Sequence, residues 1–149
     1  MAYFQLLTPR ESIIFGKKLT AGEADIQPGF LVKLDDGGET VTLCDKGDTP
    51  FGFAFGARAI KYAPTTPVFD LGEVLSVVQG SGLALISSDF FTSGSGFADE
   101  DDALYTANDG KLGIVDGGAT KVARMIRTKS RTLVSGTENV ALIRFNIQP

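Results

Sequence analysis

Turn signals recur at short intervals along this chain and limit the length of any regular element between them. The clearest are Asp35-Asp36-Gly37-Gly38, Asn108-Asp109-Gly110 and Asp116-Gly117-Gly118, each flanked by short runs of β-branched or aromatic residues. Long hydrophobic patterns with the 3.6-residue period of a helix are missing. With 18 glycines, six prolines and 11 phenylalanines, the sequence predicts a mainly β domain of about nine or ten strands, folded as a compact β-barrel or β-sandwich.

Several strands can be predicted with residue bounds. In the first hairpin, Val41 and Leu43 are expected on one face of the second strand, and Thr40, Thr42 and Cys44 on the other. The alternation of large rings and small residues in Phe51-Gly52-Phe53-Ala54-Phe55 favours a core role over an aromatic binding platform. The segment from Phe69 to Phe91 predicts either two strands around Gln79-Gly80-Ser81-Gly82 or one long strand with a glycine bulge. The other predicted strands are Phe30–Leu34 paired with Glu39–Cys44, Ala103–Ala107 paired with Lys111–Val115, then Thr120–Thr128 and Asn139–Ile147.

The N-terminal segment carries an apolar cluster, Tyr3, Phe4, Leu6 and Leu7, where a chain usually frays unless something holds it. It either packs on its own domain or forms an arm that reaches a neighbouring subunit or partner. Further along, Thr8-Pro9-Arg10-Glu11 has the form of a helix capping box, while Ser12–Phe15 is equally typical of a strand. We therefore divide the chain into an extended N-terminal arm, residues 1–20, and a single β-rich domain, residues 21–149.

The side-chain inventory argues against most enzyme chemistry. The chain has no histidine, which removes the commonest general base, and its single cysteine allows no internal disulfide and argues against a structural zinc site. A buried structural thiol is expected at Cys44. The acidic run Asp99–Asp102 lacks the EF-hand glycine and glutamate at the required positions, so it is interpreted as a solvated loop. We expect a non-enzymatic protein with no metal and no cofactor.

Charge and hydropathy restrict the partners. The net charge is −4 and no long basic run appears, which disfavours binding to nucleic acid. A locally basic stretch is expected to face solvent along strands, with an acidic partner as its alternative role; it comprises Lys121, Arg124, Arg127, Lys129 and Arg131. No apolar segment approaches the ~20 residues that span a bilayer, and no signal-peptide pattern begins the chain, so a protein made in the cytosol with no membrane contact is expected.

Three separated segments resemble bacteriophage head decoration proteins, also called capsid cement proteins. The first matches at Pro28, Gly29, Val32, Lys33 and Leu34, the second at Phe51-Gly52-Phe53-Ala54, and the third at Leu104, Tyr105 and Asp109–Leu112. The likeness covers roughly residues 24 to 147. The segment from Arg58 to Glu73 is longer than the family pattern, and the N-terminal arm also departs from it.

The resemblance implies a non-enzymatic, β-tulip-like protein on the outer surface of the virion. It would bind as a homotrimer at local three-fold positions of the capsid and stabilise the expanded head by clamping adjacent major capsid subunits. The capsid contacts are expected in the arm and in one exposed loop, at Tyr3, Phe4, Leu6, Leu7, Ile13, Ile14, Phe15, Pro64 and Pro67. Three alternatives stay open: a phage tail or fibre module, a carbohydrate-binding β-sandwich and a small carboxylate enzyme.

Overall fold

The computed structural model describes residues 4–7, 19–35, 37–55, 71–92, 102–133 and 136–147. Within them the protein is mainly β and contains a closed five-stranded barrel and a six-stranded sheet, which confirms the predicted fold class. Two 3-10 turns, Ser88–Phe90 and Asn108–Gly110, interrupt the strands. The strands are β1 Phe4–Leu6, β2 Leu19–Ala21, β3 Leu31–Leu34, β4 Thr40–Leu43, β5 Gly52–Phe55, β6 Val74–Val78, β7 Gly80–Ser87, β8 Ala103–Thr106, β9 Leu112–Gly113, β10 Lys121–Leu133 and β11 Gly136–Ile147.

The barrel has the strand order β2-β4-β3-β5-β6 and closes through antiparallel pairing of β2 with β6. β3 and β4 form the predicted hairpin, with Val32 opposite Leu43. β2 pairs with β4 in parallel, the one parallel ladder between the described strands. Five short strands enclose a space that side chains alone can fill. The barrel interior is built from Leu19, Ala21, Ile26, Val32, Val41, Ala54, Leu75 and Val77, all buried.

The six-stranded sheet has the order β1-β7-β11-β10-β8-β9, and all its ladders are antiparallel. Its centre is the long β10–β11 hairpin, which runs further than the predicted strands Thr120–Thr128 and Asn139–Ile147. The β8–β9 hairpin, predicted from Asn108-Asp109-Gly110, forms one edge, and β1 forms the other. Both edge strands are short, which limits the backbone they offer to unwanted pairing.

The chain passes from the barrel to the sheet at Gln79. β6 ends at Val78 in the barrel and β7 begins at Gly80 in the sheet, so the stretch around Gln79-Gly80 forms two strands, as one of the two alternatives predicted. Gly80 has φ +78°, a left-handed conformation that turns the chain at little steric cost. The buried Gln79 side chain donates a hydrogen bond from Nε2 to the carbonyl of Phe51 at 2.7 Å. This bond ties the crossover to the start of β5.

A second core fills the space between barrel and sheet. On β5, Phe53 contributes to this core while the neighbouring Ala54 faces the barrel interior, as the alternation along a strand requires. Phe53 packs edge-to-face on Phe145 of β11 with ring centroids 5.6 Å apart, and Phe30 packs on Phe90 at 5.0 Å. Cys44 belongs to this core and Val41 to the barrel interior, in agreement with the predicted faces of β4. The core role predicted for the Phe51–Phe55 segment is therefore confirmed.

Candidate functional site

The described part of the N-terminal segment lies on its own sheet. The backbone of β1 pairs with β7, with Phe4 opposite Ile86 and Leu6 opposite Ala84. Leu6 packs against the core between barrel and sheet, whereas Leu7 is 41% exposed and donates its amide to the carbonyl of Leu83. Residues 4–6 thus follow the alternative in which this segment packs on its own domain.

Six of the predicted contact residues lie in segments that the structure does not describe. Tyr3, Ile13, Ile14, Phe15, Pro64 and Pro67 lie outside the described residues, as do the two alternatives for residues 8–15. The barrel begins at Leu19, so Leu19 and Thr20, which we assigned to the arm, form part of β2.

Four large apolar side chains that the sequence analysis did not select are exposed in two places. Leu71 (68%) and Val74 (46%) precede or begin β6, at the strand of the barrel that pairs with β2. Ile114 and Val115 follow β9 at the edge of the sheet. No local pattern separates them from buried apolar residues of the same strands, because their exposure depends on where each strand ends in the fold.

The outward side of β10 and β11 carries a cationic face, which we define as Lys121, Arg124, Arg127 and Arg144. Every exposed lysine or arginine among the described side chains belongs to it. Met125 and Ile143, which follow Arg124 and precede Arg144 in sequence and lie opposite each other on the inward side, are completely buried. Solvent exposure of Lys121, Arg124 and Arg127, predicted from the sequence, is confirmed; the side chains of Lys129 and Arg131 are not described.

Two β-bulges in β10 place the three cations of this strand on the same side of the sheet. Strict alternation would place residues three apart on opposite sides of a strand. The register of β10 shifts between Lys121 and Ala123 against β8, and between Met125 and Arg127 against β11. A β-bulge inserts one extra residue, so a three-residue spacing returns to the same side. Lys121, Arg124 and Arg127 therefore all face solvent.

Arg144 joins the face through the strand register. It lies directly opposite Arg124 in the β10–β11 ladder and opposite Leu83 in the β11–β7 ladder. An open cavity of about 270 Å³ lies at this point. Its lining consists of Lys121, Val122, Ala123, Arg124, Arg144 and Asn146, three cations and no acid.

A separate polar junction locks the barrel to the β8–β9 hairpin. The amide of Gly110 donates to the carbonyl of Cys44 at 2.8 Å, and the amide of Asp109 donates to the Asp45 carboxylate at 3.0 Å. The buried Thr106 hydroxyl donates to the Lys46 carbonyl and accepts from the amide of Thr120. We call this set of contacts the hairpin junction.

Three ionisable groups beside the hairpin junction have shifted pKa values. The Asp48 carboxylate accepts the amide of Asp45 and pairs with Lys33 at 2.9 Å. The hydrogen bond from Asp45, followed by that from Lys33, lowers the pKa of Asp48, and Asp48 in turn raises the pKa of Lys33. Burial raises the pKa of the Cys44 thiol to about 12, and the side chain is completely buried, which confirms the structural role predicted for it.

The three segments that carry the family resemblance contact one another, the first with the second through β3 and β5 and with the third beside the hairpin junction. Gly29 donates its amide to the carbonyl of Ala54, and Ala54 donates to the carbonyl of Phe30, which joins the first segment to the second. Gly110 of the third segment packs on the carbonyl of Leu31, where a Cβ would lie 2.9 Å away. The first segment, which ends at Leu34, and the third, which begins at Leu104, thus form one structural unit with the second.

The described residues hold no group of three or more cysteine, aspartate or glutamate side chains arranged to share a metal ion. Asp99–Asp101 of the acidic run are outside the described residues; Asp102 is half-buried, and its carbonyl accepts the amide of Met125. In the same part of the chain, no helix has the length and apolar character needed to cross a bilayer.

Comparison of the chain with protein-family models, with curated proteins and with solved structures finds no match.

Proposed function

We propose that this protein is a decoration protein of a bacteriophage head, which binds the outer surface of the capsid as a homotrimer and stabilises the expanded shell. The observation that supports this most is that the three segments that resemble the family contact one another, the first with the second through β3 and β5 and with the third at Gly110. If the resemblance were only common turn chemistry, nothing would require these segments to meet. Their contact is expected if the segments form the shared structural core of a decoration protein.

The exposed apolar pairs are suited to a clamping role. One apolar pair, Leu71 and Val74, lies on the barrel, and the other, Ile114 and Val115, lies at the edge of the sheet. One protomer therefore offers two apolar surfaces. Two contacts on adjacent capsid subunits would link them mechanically. Each contact buries little surface, but ligand binding stabilises the bound state by mass action, and linkage of three protomers raises the effective affinity. A modest contact per protomer is therefore sufficient.

The direct test mixes purified full-length protein with expanded, undecorated heads of the phage that encodes it. We expect co-sedimentation at saturation, density at local three-fold positions in cryo-electron microscopy, and a higher melting temperature of the heads. Light scattering of the free protein should report a trimer or a monomer that trimerises on the shell. If the full-length protein neither binds heads nor changes their melting, the proposal is wrong.

A matched pair of variants tests the contact surface. Leu71→Asp and Val115→Asp each introduce one charge at a side chain that is more than 60% exposed, so the fold should tolerate both. If both surfaces bind capsid, each variant should weaken binding to heads, since a desolvated charge opposes association. Glu39→Gln, an exposed change on the barrel, serves as the control. Retention of full affinity by both aspartate variants would exclude these surfaces from the contact.

A further inference from the structure

The described charges are unevenly distributed over the fold. The barrel segments carry seven acids and two lysines, and the segments between β7 and β10 carry Asp89, Asp102, Asp109 and Asp116 with one lysine, whereas the described side chains of β10 and β11 include four exposed cations and no acid. The chain as a whole has a net charge of −4. A cationic face on an acidic protein is not a by-product of composition and requires its own explanation. The barrel charges are Glu23, Asp25, Lys33, Asp35, Glu39, Asp45, Lys46, Asp48 and Glu73.

The arrangement within the cationic face places like charges next to each other. Arg124 and Arg144 occupy directly opposite positions on neighbouring strands, and like charges in such a pair destabilise a sheet. Among the described residues no ion pair involves Lys121 or Arg144. A solvated surface that served only solubility would have no need to gather three cations around one 270 Å³ depression. An anionic group placed between them would remove the repulsion.

The same side of the sheet also offers apolar surface next to the cations. The register aligns Leu83 with Arg144 and Arg124 in one row, and Leu85 with Leu142 and Arg127 in the next. The three leucines are half-buried. The face therefore changes from apolar on β7 to cationic on β10. Apolar area beside a rim of arginine is the composition typical of a protein–protein contact.

We propose that this face binds an acidic segment of a partner protein, with its carboxylates in the cavity between Lys121, Arg124 and Arg144. A carboxylate accepts two parallel hydrogen bonds from one guanidinium, so two opposed arginines and a lysine suit one or two acidic side chains. Asn146, which also lines the cavity, adds a polar group at its edge. The identification of this partner as the major capsid subunit rests on the proposed function; the acidic chemistry of the site does not.

Two other occupants fit the observations less well. Single-stranded nucleic acid favours several aromatic side chains for base stacking, whereas the described outward positions of β7, β10 and β11 carry none and the adjoining β8 offers Tyr105 opposite Lys121. A second copy that presented its acidic barrel would offer few carboxylates, because most of them already accept bonds within their own chain; self-association through other acids, such as Asp109 or Asp116, is an outcome of the test. Glu23 accepts the amide of Leu43, Asp35 accepts the hydroxyl of Thr40, and Asp45 and Asp48 belong to the contacts beside the hairpin junction.

The test titrates isotope-labelled full-length protein with a hexaglutamate peptide and follows amide chemical shifts by NMR. We expect the shifts to be confined to β10, β11 and the adjoining part of β7, and the affinity to fall when salt rises from low to high concentration. The single swap Arg144→Glu puts opposite charges across the ladder and should keep the fold. The double swap Arg124→Glu/Arg144→Glu should weaken binding about tenfold or more, because it removes charge-assisted hydrogen bonds.

Three controls test whether the binding of hexaglutamate depends on the cationic face itself. Lys111→Glu changes the net charge by the same amount as Arg144→Glu on the β8–β9 side and should leave the affinity unchanged within about twofold. Arg124→Gln/Arg144→Gln replaces the double swap if the two opposed glutamates prevent folding. A ten-residue oligothymidylate tests nucleic acid, and light scattering at low salt tests self-association through the same face.

The outcomes separate the site from the proposed function. Equal hexaglutamate binding by wild type and the double swap would overturn the acidic-partner site, as would tighter binding of oligothymidylate or loss of an oligomer in the swap. Head binding that is unaffected by the double swap would overturn the identification of the partner as the major capsid subunit, while leaving the decoration function standing. Hexaglutamate binding at β10 and β11 without any binding to heads would support the site and refute the decoration function.

Discussion

Substitution of Gly110 by alanine should strongly destabilise the fold through the hairpin junction. Gly110 has φ +74°, and a Cβ at this position would lie 2.9 Å from the carbonyl oxygen of Leu31 and 2.9 Å from a methyl group of Leu43. Its amide bonds to the carbonyl of Cys44, so the turn cannot withdraw without losing that hydrogen bond. The added methyl group meets both backbone strain and steric overlap.

The magnitude follows from three contributions. The left-handed conformation costs alanine about 1–2 kcal/mol, and overpacking against a fixed backbone costs about 1–3 kcal/mol. Alanine also restricts the unfolded chain, which offsets about 0.4–1 kcal/mol of this. The net loss in the free energy of unfolding is therefore about 1–4.6 kcal/mol, which corresponds to a decrease in Tm of roughly 2–18 °C for a domain of this size.

Urea unfolding followed by circular dichroism measures this loss, and Gly118→Ala is the matched control. Gly118 has φ +88°, but a Cβ there would meet nothing within 4 Å. Its substitution carries the backbone strain without the overlap and should cost at most about 1.5 kcal/mol. If Gly110→Ala costs no more than Gly118→Ala, the close approach of the hairpin to the barrel does not exist in solution and the reasoning fails.

Two further predictions concern the barrel and the buried thiol. Gly52→Ala should destabilise the protein by about 2 kcal/mol or more, because its Cβ would overlap the Val78 carbonyl and the Val77 side chain. Gly37→Ala, with open space around it, should be neutral or slightly stabilising. Similar Tm values for the two variants would contradict this prediction. Burial raises the pKa of the Cys44 thiol from 9.0 to about 12. As the pH rises, the unfolded chain therefore loses this proton before the folded protein does. The free energy of unfolding should fall by about 1.4 kcal/mol per pH unit above pH 9, relative to that of Cys44→Ala. The same thiol should react with a disulfide reagent only after unfolding, and rapid reaction of the native protein would show that it is accessible.

Local turn chemistry was sufficient to predict several elements. The β3–β4 and β8–β9 hairpins form where Asp35–Gly38 and Asn108–Gly110 indicated them, because a turn depends on the backbone preferences of a few adjacent residues. The alternation of Val41 and Cys44 between two faces follows from the pleat of a strand. The solvent exposure predicted for Lys121, Arg124 and Arg127 was also recognisable, since charged side chains in a strand turn to water.

The pairing between distant segments was decided by the tertiary structure. Parallel pairing of β2 with β4, closure through β6 and the crossover at Gln79 all depend on which strands bury their apolar faces together. That competition involves the whole chain and leaves no local signal in any one segment. For the same reason Arg144 could not be assigned to the cationic face from the sequence.

The sequence by itself determined the strand-rich composition, the turns and the absence of histidine chemistry, because each of these depends on residue type and near neighbours alone. Only the tertiary structure decided which charges and apolar side chains share a surface. Arg124 meets Arg144 through the register of two strands, and Leu6 rests on its own sheet although its sequence suited an arm equally well. A surface is formed by residues distant in the chain, so its chemistry exists only after the fold has brought them together.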